Sequence, residues 1–211
     1  MRINKKHIVF DWNGTLVNDA WIFVDILNVL LLSRGLKIIN SNDYRQLFSM
    51  PIKSFYKKLG FDVSKKSFKD LEKDFIKEYK KRMFSPQLFD CTIPVLKELL
   101  ASEKILSILS ASNQIILNQL LKYYKINHYF QYVVGVDNYT ANGKLASGLK
   151  LLNKLGCQEN DVMLIGDTDS DYRIAKKINI DSILIANGHQ SRERLNKISK
   201  NVVESIGQII T

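Results

Sequence analysis

The chain opens on a short apolar run, Ile8-Val9-Phe10, that leads without a break into Asp11-Trp12-Asn13-Gly14-Thr15-Leu16. An apolar run of that length, stopped by a glycine turn, predicts a buried strand over residues 7–10. A carboxylate at the carboxyl end of such a strand lies where open α/β sheets bind their ligands. Asp11 is therefore placed as an exposed nucleophile or a metal ligand. Ordinary turn chemistry would also explain one Asp ahead of a glycine, so the rest of the chain has to decide.

Residues 19–34 are apolar over a helical length. Ile22, Ile26, Val29 and Leu30 line one face, and Trp21, Val24, Leu27 and Leu31 widen it. Gly35 suits a C-cap. Residues 41–48, 51–59 and 67–84 predict further helices, with Pro51 in a first turn and Ser67 as an N-cap. No strand pattern interrupts residues 19–84. From residue 92 onward the pattern alternates. Helices are expected over 94–101, 113–124, 144–155 and 170–178, strands over 105–109, 132–136, 162–165 and 182–186, and two short helices at the end. Such alternation implies parallel strands joined by right-handed βαβ units. The expected fold class is α/β: a Rossmann-like parallel sheet core from residues 1–16 and 88–211, with an all-helical insert over 17–87. Residues 15–20 and 85–91 are the expected hinges, the second marked by Pro86.

At 211 residues and 45% hydrophobic, the chain can build one good core and a smaller satellite domain. No segment reaches the unbroken apolar length of a membrane span. Met1-Arg2-Ile3-Asn4-Lys5-Lys6 leads into the first strand without signal-peptide architecture. Cys91 and Cys157 lie far apart without metal-type spacing, so neither a disulfide framework nor a zinc site is expected. These features point to the reducing cytoplasm and away from a membrane. The net charge of +10 is carried by lysines scattered over helical surface positions. With no aromatic-interleaved basic motif, it fits modest steering of a phosphate and argues against nucleic acid as a partner.

Four segments fall at the carboxyl ends of predicted parallel strands. They are Asp11-Trp12-Asn13-Gly14-Thr15, Ser110-Ala111-Ser112-Asn113, Lys144, and Gly166-Asp167-Thr168-Asp169-Ser170-Asp171. Singly they read as a turn, a helix N-cap, a surface lysine and a polar loop. Their order and shared sheet edge say more. In that order the chain resembles the haloacid dehalogenase-like (HAD) superfamily of hydrolases, closest to the phosphoglycolate-phosphatase-like branch, over essentially its whole length. The resemblance implies that residues 17–87 form a helical cap domain and that Asp11 attacks phosphorus to form an aspartyl-phosphate. Ser110 would hydrogen-bond a phosphoryl oxygen, and Lys144 would neutralise Asp11 and the transferring group. Mg²⁺ would be held by Asp11, Asp167 and the backbone carbonyl of Asn13, with Asp171 supporting the metal or Lys144. Gly14, Thr15 and Ala111 would complete the substrate-binding loops.

The chemistry agrees with those roles. A carboxylate approaching an anionic phosphate needs a divalent cation and an ammonium to cancel repulsion. Phosphoryl transfer then depends mainly on positioning and charge stabilisation. Ser112 better fits capping of the next helix than phosphate binding, and Asp169 reads as a solvated loop residue.

Asn13 departs from the family pattern, which usually has an Asp there to protonate the leaving alcohol. An amide cannot exchange a proton near neutral pH, and losing a general acid–base typically costs about 10²–10⁴-fold in rate. Either Asn13 orients the leaving oxygen or a water while another group handles protons, or the substrate is an acyl or aryl phosphate that needs no acid. His189 stands on the correct edge for the first option, although a polar loop histidine is the simpler reading. On either view Asn13→Asp is expected to raise turnover of alkyl phosphates. Two other functions stay open: phosphonoacetaldehyde hydrolase-like C–P cleavage with Lys53 as a Schiff-base lysine, and a catalytically weak phospholigand-binding module. Arg45, Lys53 and Tyr56 are candidates for the inner face of the cap. The expected partner is a small phosphorylated metabolite, and the expected state a monomer or loose homodimer.

Overall fold

A computed structural model describes residues 4–138 and 143–210. Met1, Arg2 and Ile3, on which part of the leader expectation rests, lie outside the described residues. Strand β1 (His7–Phe10) is followed by a two-residue strand β2 (Val17–Asn18) and four helices: α1 (Ala20–Leu32), α2 (Ser41–Leu47), α3 (Ile52–Lys58) and α4 (Lys65–Arg82). Strand β3 (Gln87–Leu88) returns antiparallel to β2, pairing Val17 with Leu88. Then come α5 (Thr92–Ala101), β4 (Ile105–Asn113), α6 (Gln114–Tyr123), β5 (Tyr132–Val136) and α7 (Lys144–Leu155). The chain continues through β6 (Val162–Gly166), α8 (Asp169–Lys177), β7 (Asp181–Ile185), α9 (Arg192–Asn196) and β8 (Val202–Val203).

The main sheet is six-stranded in the order β5-β4-β1-β6-β7-β8, and every pairing in it is parallel. The α/β class with a Rossmann-like core is thus the observed one. The chain builds outward from β1 to β4 and β5, then crosses back to β6 on the other side. The carboxyl end of β1 is therefore the point where strand order reverses, where such sheets open a crevice for ligands. Parallel strands of this kind are covered on both faces, and alternation along β1 shows how. Ile8 and Phe10 join an apolar cluster with Val95 and Leu96 of α5 and Leu117 of α6. Val9 faces the opposite cluster, with Leu151 of α7 and Ile174 of α8. Helices α1 to α4 extend the first cluster through Leu27, Tyr44, Phe55 and Leu71.

Local signals set several boundaries. Helix α1 ends in a Schellman arrangement, with Leu36 N–H reaching Leu31 O and Gly35 N–H reaching Leu32 O, and Gly35 supplies the left-handed turn. Helix α2 starts from an Asn40–Asp43 capping box. The expected cap of α4 is corrected: Ser64, not Ser67, precedes the helix. Ser67 lies within its first turn, its hydroxyl donating to Asp62 Oδ2 at 2.5 Å. The ribbon β2–β3 and the sixth strand β8 have no counterpart in the sequence reading, because two-residue strands carry no periodicity to detect.

Burial on both sheet faces makes a measurable difference between core and helix surface. Ile8 is fully buried, and Ile8→Ala is expected to lower the unfolding free energy by about 2–5 kcal/mol. Ile115, 65% exposed on α6, should shift it by less than about 0.5 kcal/mol when cut to Ala. Urea titrations of the two variants give the comparison, and equal losses would contradict this core.

Candidate active site

Asp11 follows β1 directly, and its backbone N–H donates to Ile165 O at 2.8 Å, carrying the sheet one residue further. Three residues on, the chain turns at Gly14 with φ +72°. A Cβ at Gly14 would overlap the Asp167 carboxylate and the His189 ring, so both the backbone angle and the close approach require glycine. Gly166 gives similar clearance beside Asp171, and Gly188 beside Asp167.

Lys144, the first residue of α7, reaches back to this edge. Its Nζ donates to Asp11 Oδ1 at 2.6 Å and to Asp171 Oδ1 at 2.5 Å, and all three groups are buried. The other oxygen of Asp171 accepts from Thr168 N–H at 3.1 Å and from the Thr168 hydroxyl at 2.7 Å, the capping box that starts α8. Asp167, fully buried after β6, accepts from the Thr15 hydroxyl at 3.1 Å and from His189 N–H at 2.6 Å. Carboxylate oxygens of Asp11, Asp167 and Asp171 lie within 4.8 Å of one another.

Of these three buried carboxylates, Asp11 and Asp171 share one ammonium, and Asp167 lies beside them without it. Burial pushes the Asp11 carboxyl up to about 6, with Lys144 pulling against it and Asp171 adding to it. Burial also drives Asp167 up to about 8, opposed by His189 and reinforced by Asp11. For Lys144, burial works to lower the pKa, but Asp11 and Asp171 outweigh it and hold the ammonium charged above its ordinary range. A buried all-oxygen donor set short of positive charge is compatible with a hard divalent cation.

The segment at the end of β4 differs from its expected arrangement. The strand runs on through an irregularity after Leu109 to Asn113, whose side chain caps α6 by accepting from Ile115 and Ile116 N–H. Ser112 therefore does not cap the helix. Its hydroxyl donates to Asn13 Oδ1 at 2.6 Å. Ser110 is buried, its Oγ accepting the Ser112 N–H at 3.0 Å.

Asn13 is engaged at both ends, because its Nδ2 donates to Asp19 Oδ2 at 2.5 Å. Asp19 Oδ1 accepts from Gly14 N–H at 2.9 Å and lies 3.2 Å from His189 Nε2. Tyr44 OH meets His189 Nδ1 at 2.6 Å. His189 lies in the loop between β7 and α9, as expected, but is buried there with its ring edge-on to Phe23. Burial disfavours the charged imidazole, yet Asp19 outweighs that, aided by Asp167 and Asp11, and raises its pKa. Asp169 is likewise no solvated residue: it is buried, accepts from Gln190 Nε2 at 2.8 Å, and is paired with Arg173. Asp19 and Tyr44 carried no motif in the sequence. They enter only because α1 and α2 start above the same edge.

A cavity of about 170 Å³ lies between the strand ends and helices α1 to α4. Asp11, Asn13, Ala111, Ser112, Lys144 and His189 line it from the sheet side. From the helices it is lined mainly by aromatic rings, including Phe23, Tyr56, Phe75 and Tyr79. Of the proposed inner-face residues, Tyr56 lines this cavity, whereas Arg45 donates to Gly188 O at 3.0 Å outside it. Lys53 is exposed, its Nζ over the Phe68 ring, and does not reach the cavity.

No curated protein matches the chain. Solved structures do, at low identity. A haloacid dehalogenase-like family hydrolase from Streptococcus pneumoniae superposes with a TM-score of 0.81 at 22% identity, covering 97% of this chain and 96% of its own. A predicted phosphatase from Clostridium acetobutylicum gives 0.83 at 22%, covering 97% and 95%. A predicted phosphoglycolate phosphatase from Haemophilus somnus gives 0.77 at 17%, covering 98% and 96%. These likenesses show a shared fold. The family model for haloacid dehalogenase-like hydrolases matches residues 8–185, a stretch that runs from β1 through β7 and takes in all four strand-end segments. On that match, the chain belongs to the haloacid dehalogenase-like hydrolases.

Proposed function

We propose that this hydrolase is a Mg²⁺-dependent phosphatase acting on a small organic phosphate through an aspartyl-phosphate on Asp11. The observation that carries the reading is the buried Asp11–Lys144–Asp171 bridge with Asp167 beside it. Asp11 and Asp167, with the Asn13 backbone carbonyl, would hold Mg²⁺. Asp171 grips Lys144 and is itself fixed by Thr168, so it would position the ammonium. The metal would supply charge neutralisation for an anionic substrate. Lys144 keeps Asp11 oriented and offsets charge on the transferring group. A free Asp11 oxygen attacks phosphorus, the bond from phosphorus to the leaving oxygen breaks, and the electron pair departs with that oxygen. Water then attacks the same phosphorus, the bond from phosphorus to the Asp11 oxygen breaks with its electron pair returning to the carboxylate, and the water's protons leave with inorganic phosphate. Ser110, Ala111, Gly14 and Thr15 frame the phosphoryl position, and helices α1 to α4 act as a cap that excludes water.

Asn13 shapes which substrates fit. Its amide is held by Ser112 and Asp19, and both nitrogens of His189 face Asp19 and Tyr44. Neither group is available as a proton donor to a leaving alkoxide. The arrangement favours a leaving group that is stable as an anion, an aryl or acyl phosphate. In the same reading the enzyme is cytoplasmic, where its free Cys91 and Cys157 stay reduced. It acts as a monomer or loose homodimer, without a nucleic-acid or membrane partner. Among the described residues no helix is long and apolar enough to cross a membrane.

Two measurements test this reading. Saturating Mg²⁺ should raise the Tm of the wild type, by the equivalent of about 2–3 kcal/mol at a hundredfold excess over Kd. Asp167→Asn should lose most of that shift. With an aryl phosphate, intact-mass spectrometry of quenched protein should detect one phosphoryl adduct in the wild type and none in Asp11→Asn. An adduct that persists in Asp11→Asn would reject Asp11 as nucleophile.

The Asn13 environment revises the expectation for Asn13→Asp. Alone, the new carboxylate faces Asp19 and should lower Tm, as a broken buried hydrogen bond costs about 1–3 kcal/mol. Combined with Asp19→Asn, the pair is restored with its donor and acceptor exchanged. That double variant should recover Tm and raise alkyl-phosphate turnover by about 10²-fold or more. A stable double variant with unchanged alkyl turnover would show that Asn13 does not stand in for a missing acid.

A further inference from the structure

The cavity above Asp11 is built for a particular leaving group. Tyr79, one of its walls, lies within electrostatic reach of Asp19 and Asn13 and so marks the reacting end. Phe75, Ile76 and Glu72 line it from the same helix. Glu72 lies seven residues before Tyr79 on α4, and a rise of about 1.5 Å per residue sets the two about 10 Å apart. Between them the cavity meets the side chains of Phe23, Phe55 and Tyr56. Its volume of about 170 Å³ compares with the roughly 150 Å³ apolar cavity that takes up one benzene ring.

The far end is different. Glu72 is half-buried; its Oε1 is shut off from solvent and accepts no hydrogen bond, and the charge acting on the carboxylate is that of Lys69, three residues earlier on α4. A buried carboxylate oxygen without a partner is costly unless something completes it. Aromatic faces beside a carboxylate suit a cation, since both attract positive charge.

Building on the phosphatase reading, we propose that the substrate is an aryl phosphate whose ring carries a short ammonium arm, with the ring among the aromatic side chains and the ammonium against Glu72. The cavity has room for one ring. The distance along α4 matches a ring plus a two-carbon arm. The phenolate leaving group agrees with an Asn13 that donates no proton. Glu72 is a specificity residue and takes no part in bond breaking.

Tyramine phosphate, para-ethylphenyl phosphate and the matching para-carboxyethylphenyl phosphate share one ring and differ in terminal charge. With the wild type and Mg²⁺, kcat/KM should fall in the order cation, neutral, anion, the first step being about tenfold. Glu72→Gln should bring kcat/KM of the cation to within about twofold of that of the neutral ester. Calorimetric binding of tyramine against para-ethylphenol to the wild type gives a readout that needs neither chemistry nor a variant, and tyramine should bind more tightly. Equal binding of the two, or equal turnover of the cationic and neutral esters, overturns the proposal. If none of the esters is hydrolysed yet tyramine still binds preferentially, the phosphatase reading fails and the cationic aryl pocket stands.

Discussion

The arrangement of the site depends on one buried ammonium. Lys144 lies between Asp11 and Asp171, which reach it from the end of β1 and the first turn of α8. Carboxylates gathered this closely in a dry crevice repel one another and lose hydration, a penalty of several kcal/mol for each unpaired ion. The ammonium offsets part of that and ties three separate elements to one point. Removing Lys144 would leave both carboxylates uncompensated, so the geometry of this corner depends on that ammonium. One ammonium among three carboxylates still leaves the crevice short of positive charge, which is the physical ground for expecting a divalent cation there.

A second network crosses from the sheet edge into the helices. Asp19, ahead of α1, receives Asn13 and the Gly14 N–H and approaches His189, and His189 in turn meets Tyr44 of α2. Arg45 and Arg194 bind backbone carbonyls across the same gap, at Gly188 and Phe48. A residue type that ends general acid chemistry at position 13 thus also serves as a connector. A carboxylate at position 13 would face Asp19, so the amide there fits the network.

Much of this was legible in sequence, and for identifiable reasons. Strands β1 and β5 and helix α7 appear with the predicted bounds, because continuous apolar runs and clear helical periodicity are local signals. The four polar segments could be assigned to one sheet edge because alternating elements force parallel strands to end on the same side. The misreadings share a cause. Ser67, Ser112 and Asp169 were each judged by their immediate neighbours, as was the setting of His189. Their partners are Asp62, Asn13, Gln190 with Arg173, and Asp19 with Tyr44, most of them distant in the chain.

The order of residues alone determined an α/β sheet, the placement of Asp11, Lys144, Asp167 and Asp171 at strand and helix ends, and the family to which that order belongs. The sheet and the placements follow from periodicity and backbone geometry, which act over a few residues, and the family from the resemblance of the four ordered segments. Only the tertiary structure decided that β1 lies at the reversal point of the sheet, that Lys144 contacts Asp11 across 133 positions, and that Asn13 bonds to Asp19. It alone set Glu72 in the wall of an aromatic-lined cavity. Contacts of that kind depend on how whole elements pack against each other, and the local pattern at either end does not encode them.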